Sequence, residues 1–212
     1  MYIPAAFRED DLPTLHTLMQ DYNFAVLVMQ HDGVPLASHL PFMLDPQAGE
    51  RGTLHVHLAR GNPQVAHLAA AEAGAAEVLV IFQGPHAYIS PSWYEADLSV
   101  PTWNFAAVHA YGIPCLFTQP AVLEPMLRDL VQQHEAAFDD LWPMALPDDY
   151  LHKQMRGVVG VELPITRLEG KFKLSQNRSA CDQAQVAAAL HAGADPLGAA
   201  TAQLMDARCP PE

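Results

Sequence analysis

Strand-like segments follow one another in this chain with turns between them, and this order constrains the fold more than any other feature. The runs "NFAVLVMQ" and "VPLASHLPFML" flank Asp32–Gly33, a two-residue signal for a tight hairpin turn. Prolines break the second run, which places it at a sheet edge or a bulge. Thr53–Leu58 alternates, with Leu54, Val56 and Leu58 on one face and His55, His57 and Ala59 on the other. "AEVLVIFQGPHAYISPSWY" reads as a strand, a Gly-Pro interruption and a second short strand. "PTWNFAAVHAYGIPCLFT" gives a strand, a turn and one more, and "RGVVGVELPITRLEGKFKL" a long bent strand or a pair. A doubly wound parallel sheet needs a crossover helix after nearly every strand, and this chain has none of that rhythm. The expectation is an α+β protein, mainly an antiparallel barrel with helices packed outside it; closing the barrel removes the sheet edges.

Helix signals cluster at the start, middle and end. In "REDDLPTLHTLMQDY", Asp10 or Asp11 can cap and Pro13 suits a first turn. Leu12, Leu15, Leu18 and Met19 form the apolar stripe, with His16 beside it as a surface or boundary residue. Asn62 can cap a helix with Pro63 at its first position, Val65, Leu68 and Ala69 within it and Gly74 at its end. "AVLEPMLRDLVQQHEAAF" is helical with Leu123, Leu127, Leu130 and Val131 inward, Pro125 being tolerable only in a first turn. "DDYLHKQM" and "DQAQVAAALHAG" are shorter helices, and "ADPLGAATAQLMDARCPPE" reads as a mixed tail. Residues 1–195 are expected to form the barrel domain with its helices, and 196–212 a C-terminal tail.

The net charge of -13, from 24 acidic and 11 basic residues, opposes broad contact with a nucleic-acid backbone. No apolar run is long enough for a membrane span, and "MYIPAAFREDDL" lacks the pattern of a signal peptide. Cys115, Cys181 and Cys209 show neither metal spacing nor a disulfide framework, which fits a reducing cytoplasm. Against the acidic background, Arg167, Lys171, Lys173 and Arg178 gather in "RLEGKFKLSQNR", opposed only by Glu169. Such clustering has two explanations: solubility at a strand edge, or an anion such as a ligand phosphate.

Several chemistries have no support. "ISPSWY" is not the glycine-flanked turn of a serine nucleophile. There is no phosphate loop with lysine and serine, and no basic reading helix. His55 and His57 point the same way and could chelate a metal, but no carboxylate or cysteine completes the set, so no metal ligand is assigned. His86 and His109 have no recognisable nucleophile or orienting acid beside them, and no catalytic residue is assigned. What remains suits a flat ligand bearing a phosphate. Arg60 and Asn62 lie at a helix start, where free amides attract anions. Lys171 and Lys173 share one side of a strand, with Gln176 following. Ser38, His39 and Gln83 are further candidates for phosphate, ribityl or ring contacts. Trp93, Tyr94 and Trp103 could wall a planar ring, although buried packing is the default for any one aromatic.

The blocks "HLARGNPQ", "LVIFQGPHAYISPSWY", "VPTWNFAAVHAYG" and "LEGKFKLSQNR" resemble the PaiB family of FMN-binding negative transcriptional regulators. The resemblance runs from "MYIP" to about Leu190. It implies a split β-barrel of the pyridoxamine-phosphate-oxidase type, a homodimer and bound FMN at the subunit interface. Gly61, Val65 and Phe105 depart from the residues common in the family, and Phe105 lacks the hydroxyl of the usual tyrosine. The family name implies repression without establishing direct DNA contact, which the charge disfavours here. Two other readings accompany it: a flavin-dependent oxidoreductase of unknown substrate, and a flavin-free metal-binding or structural barrel with the "HVH" pair at its centre.

Overall fold

The computed structural model describes residues 1–95 and 98–208. Among them are nine strands and six α-helices. Contacts divide the chain into two units. The first holds Met1–Tyr22, Phe82–His109 and the chain from Glu169; the second holds Asn23–Ile81 and Ala110–Leu168.

The second unit begins with the expected hairpin. Strands β2 (Phe24–His31) and β3 (Val34–Pro41) pair antiparallel from Phe24↔Pro41 to His31↔Val34, and β1 is the short Arg8–Glu9 segment before them. Asp32 and Gly33 have φ of 49° and 78°, so both turn residues are left-handed, as a tight hairpin of this hand requires. Strand β2 pairs on its other side with the start of β6 (Val78–Ile89), leaving the proline-bearing β3 outermost. Strand β4 (Met43–Asp45) pairs with β5 (Thr53–Ala59), and β5 with the first half of β9 (Val158–Lys173). Strand β8 (Cys115–Phe117) pairs with the same stretch of β9. Leu54, Val56 and Leu58 are fully buried on β5, while His55 and His57 are half-buried on its other face.

Helices complete this unit. α2 (Gln64–Ala73) buries Gln64, Leu68 and Ala71. α3 (Pro120–Glu135) and α4 (Asp148–Met155) enclose a cluster of Leu123, Met126, Leu151 and Met155, with Phe117 and Val158 packed against it. Pro125 lies inside α3 beyond its first turn. It removes the bond to the Ala121 carbonyl; both residues are exposed, so water can replace the missing donor and the helix continues.

In the first unit, α1 (Leu12–Asp21) is capped by Asp11, whose carboxylate accepts from the Thr14 N–H at 3.0 Å. His16 is not a boundary residue: only 8% of it is exposed, beside Leu15, Leu18 and Met19. Strand β6 runs unbroken through Gly84–Pro85, where two strands were expected. A Cβ at Gly84 would lie 2.9 Å from a Leu18 methyl and 3.0 Å from the Ala106 carbonyl oxygen. The glycine therefore marks a close approach of neighbours rather than a break. Strand β7 (Thr102–Gly112) lies between β6 and β9 in the hydrogen-bonded order, and β1 pairs with the end of β9 through Arg8↔Lys171 and Glu9↔Gly170. α5 (Ala180–Ala192), capped by Ser179, packs against α6 (Pro196–Arg208). The "mixed tail" is thus helical over most of its length, burying Thr201, Ala202 and Met205. Its pattern is hard to see because alanine and glycine carry much of the buried face.

Gly160 faces His57 across the β5–β9 ladder, and the Phe117 ring occupies the space where a side chain would stand. Gly160→Ala should lower unfolding stability by about 1–3 kcal/mol in urea titrations, the usual cost of overpacking. Much of that loss should vanish when Phe117 is also cut to alanine. Additive losses would show that the ring is not the obstacle.

Candidate cofactor site

The expected site residues fall into two groups, one in each unit. Ser38, His39, Arg60 and Asn62 belong to the second unit; Gln83, Lys171, Lys173 and Gln176 belong to the first.

In the second unit the candidate residues gather near the start of α2. Strand β5 ends at Ala59, the chain turns, and the Asn62 N–H donates to the Ala59 carbonyl at 2.8 Å. The Asn62 side-chain oxygen accepts from the Gln64 N–H at 2.9 Å, so this asparagine caps the helix from just outside it. Its amide nitrogen reaches the Ser38 hydroxyl at 3.4 Å. Arg60 is held by its backbone N–H on the Gly157 carbonyl and by Nε on the Arg156 carbonyl, both at 2.8 Å. Its two terminal nitrogens remain on an exposed side chain. Serine hydroxyl, asparagine amide, guanidinium and helix start are the donors that suit a phosphate.

Ser38 and His39 do not converge. As neighbours on β3 they point to opposite faces; Ser38 is half-buried, while His39 is exposed with its ring 6.5 Å from Phe24. Gln64 joins the group unexpectedly. It is 3% exposed, its amide nitrogen makes a long 3.5 Å bond to the Leu27 carbonyl, and its Oε1 is buried without a partner. Leu27 faces Ser38 across the β2–β3 ladder, so Gln64 and Asn62 both reach this rung. A buried lone acceptor is costly unless a ligand donor meets it. The sequence carries a trace of this residue: Gln64, Leu68 and Ala71 follow helical spacing, with a polar residue at a core position.

In the first unit, Lys171 and Lys173 project from the same face of β9, with buried Phe172 between them. The Lys171 ammonium donates to the Tyr2 carbonyl at 3.1 Å and lies 5.1 Å from the Phe105 ring centre. Lys173 donates to the Thr102 hydroxyl at 2.7 Å and to the Trp103 carbonyl at 2.6 Å. Burial, followed by the charges of Lys171 and Arg178, lowers the Lys173 pKa from its ordinary value. Gln176 closes the turn after β9: its oxygen accepts from the Leu174 N–H at 2.7 Å, and its nitrogen donates to the Phe172 carbonyl. Gln83 is an exposed residue of β6.

The histidines sort by surroundings. His55 Nδ1 lies 3.9 Å from a Glu162 oxygen. Among the described residues no three histidine, cysteine, aspartate or glutamate side chains cluster as metal ligands would. His86 and Tyr88 lie beside Trp103, at ring distances of 6.1 and 6.0 Å. Burial pushes His57 and His109 below their ordinary value.

The mainly antiparallel sheet with flanking helices fits a split-barrel-like fold of α+β class. The comparisons with known proteins agree. Residues 1–167 match the family described as "Putative FMN-binding domain", and the chain belongs to that family. FMN is the cofactor of this family. The chain is 34% identical to the protease synthase and sporulation protein PAI 2 of Bacillus subtilis, covering 97% of each, in accord with the PaiB resemblance. It is 31% identical to the uncharacterized protein AN0679 of Emericella nidulans, covering 86% of this chain and 87% of that one. Two solved structures share the fold. The flavocytochrome Anf3 of Azotobacter vinelandii aligns with a TM-score of 0.57 at 15% identity, over 84% of this chain and 75% of that one. The FAD and heme binding protein of Mycobacterium smegmatis aligns with a TM-score of 0.58 at 14% identity, over 84% and 78%. No helix among the described residues is long and apolar enough to cross a membrane.

The depressed His57 pKa has a stability consequence. The unfolded chain takes up a proton near the ordinary value of 6.5, whereas the folded chain resists until lower pH. Stability linked to His57 is therefore complete above 6.5 and lost as pH falls through the folded value. Urea midpoints followed from about pH 7.5 to about pH 5 should fall less steeply in His57→Gln than in the parent. Parallel profiles would remove His57 from the acid response.

Proposed function

We propose that this protein is an FMN-binding regulator of the PaiB type in which the start of α2 carries the cofactor's phosphate. The observation that carries the reading is the assembly of Arg60, Asn62 and Ser38 around that helix start, with Arg60 fastened through Nε and its terminal nitrogens left over. Arg60 would meet the phosphate with paired N–H donors, Asn62 and Ser38 would orient it, and the buried Gln64 acceptor would take a donor from the ligand. Bound FMN supplies redox chemistry that no side chain offers. His39 and Gln83 are weaker candidates for contacts to the rest of the cofactor; Gln176 is a weaker one still, since its amide is engaged in its own turn.

The regulatory assignment rests on similarity to a protein named for protease synthesis and sporulation. A charge of -13 favours action through a partner or through the flavin's state over direct grip on DNA. A cytoplasmic homodimer completes the proposal, resting on family resemblance and, for the compartment, on the cysteine pattern.

Titration with FMN and with riboflavin separates the phosphate from the ring. Arg60→Met should weaken FMN binding about tenfold or more, the scale of losing a charge-assisted contact, and leave riboflavin nearly unchanged. Equal loss for both ligands, or for neither, would overturn the placement of the phosphate. Failure of the parent protein to take up FMN would overturn the cofactor role itself.

A further inference from the structure

The cations of the first unit remain after the phosphate has been assigned to Arg60. Lys171, Lys173 and Arg178 lie beyond residues 1–167 matched by the family model, although they fall within "LEGKFKLSQNR", one of the blocks that resemble the PaiB family. Carboxylates outnumber cationic side chains by 24 to 11 in this chain. Arg8, Arg51, Arg128, Arg167 and Arg208 each lie within ion-pair reach of one. Among the described residues Arg60, Lys153 and Arg156 also have none but are exposed, whereas Lys171, Lys173 and Arg178 have none and are held by neutral groups instead. Lys171 sits on the Tyr2 carbonyl, Lys173 on Thr102 and Trp103, and Arg178 on the Ser99 hydroxyl at 3.3 Å.

Solvation of a strand edge does not explain this arrangement. A solubilising lysine extends into water, whereas all three of these side chains are half-buried and Lys173 feels the charges of the other two. Gathering like charges away from water is unfavourable, and a bound anion relieves it. The surroundings are aromatic. The Arg178 guanidinium lies 4.1 Å from the Tyr94 ring centre, and the Lys173 ammonium 5.7 Å from that of Phe7. Tyr94 is 8% exposed, and its hydroxyl is buried without a partner. Trp103, whose carbonyl holds Lys173, is 54% exposed and Tyr88 beside it 48%.

We propose that Lys171, Lys173 and Arg178 form a second anion site, separate from that of the FMN phosphate, which takes the phosphate or carboxylate of a ligand with a planar aromatic ring. The cations hold the anionic group while the exposed Trp103 offers a face for the ring. The proposal depends on the Arg60 assignment only in giving the cofactor's phosphate another place.

The test is calorimetric titration of FMN-loaded protein with three probes: AMP, adenosine and inorganic phosphate. FMN release is followed by absorbance in the same samples. AMP should bind more tightly than either fragment and leave FMN in place. Lys173→Met and Arg178→Gln should each weaken AMP about tenfold or more, with FMN occupancy unchanged. Because Lys173 also bonds to β7, its variant could be impaired in folding; Arg178→Gln and the rise in the parent's melting temperature with AMP provide the second line. AMP binding no tighter than adenosine, or unaffected by Arg178→Gln, overturns the site. Loss of FMN from the variants, or its displacement by AMP, overturns the separateness and returns the cluster to the cofactor. Failure of the parent to bind FMN at all is a different result, which sinks the preceding proposal; in that case AMP is titrated into the flavin-free protein and judged by the same variants.

Discussion

Strand β9 is the constraint on which much of the structure depends. Its sixteen residues, Val158–Lys173, pair with β5 and β8 near one end and with β1 near the other. A strand that serves several neighbours must let them approach on both sides, and its glycines mark where they do. Phe117 covers Gly160, while Leu15 and Glu9 crowd Gly170. In its first half β9 buries Val159, Val161 and Leu163; towards its end the phase reverses, and the alternation that buries Gly170 and Phe172 places Lys171 and Lys173 together on the other face. Packing and charge placement are therefore two outcomes of one register; a slip by one residue would exchange them.

Electrostatics act on that frame unevenly. Among the described residues five arginines lie within ion-pair reach of a carboxylate, whereas Arg60, Lys153, Arg156, Lys171, Lys173 and Arg178 do not. Arg60 lacks a carboxylate because its Nε is used to fix it on the Arg156 carbonyl beside a helix start. The three cations around the end of β9 lack one because hydroxyls, carbonyls and aromatic faces surround them. These are different solutions to holding a cation without an ion pair. Each leaves donors that a ligand anion can use.

Much of the local structure was legible because a few residues decide it. Asp32–Gly33 dictated the hairpin, since only left-handed backbone closes so tight a turn. Asp11 and Asn62 marked helix starts through their side-chain oxygens. Misreadings arose where tertiary contacts outweighed local preference. Gly84–Pro85 breaks an isolated strand, but here neighbours press against Gly84 and β6 continues. Pro125 would end an isolated helix, but Leu123, Met126 and Leu130 anchor both sides of it. α6 buries small residues, so it offered little hydrophobic contrast to read. His16 resembles a boundary residue in the sequence and is buried in the fold. Gln64 shows how a site residue escapes notice, because glutamine near a helix start is ordinarily a solvated group.

By itself the sequence determined the class of fold and the clustering of charge, because turn chemistry, strand alternation and net charge are local or additive properties; the cofactor family followed from the resemblance of whole sequence blocks to a known family. It also bounded the site, since the donors for an anion are few in so acidic a chain. Only the tertiary structure decided which of those donors share a unit. It set Arg60, Asn62 and Ser38 in one unit and Lys171, Lys173 and Arg178 in the other, and it placed Ser38 and His39 on opposite faces. It also buried the Gln64 and Tyr94 side chains with a polar atom unmet. The reason is that convergence depends on strand register and on which face of each element is covered, and both follow from contacts between segments far apart in the chain.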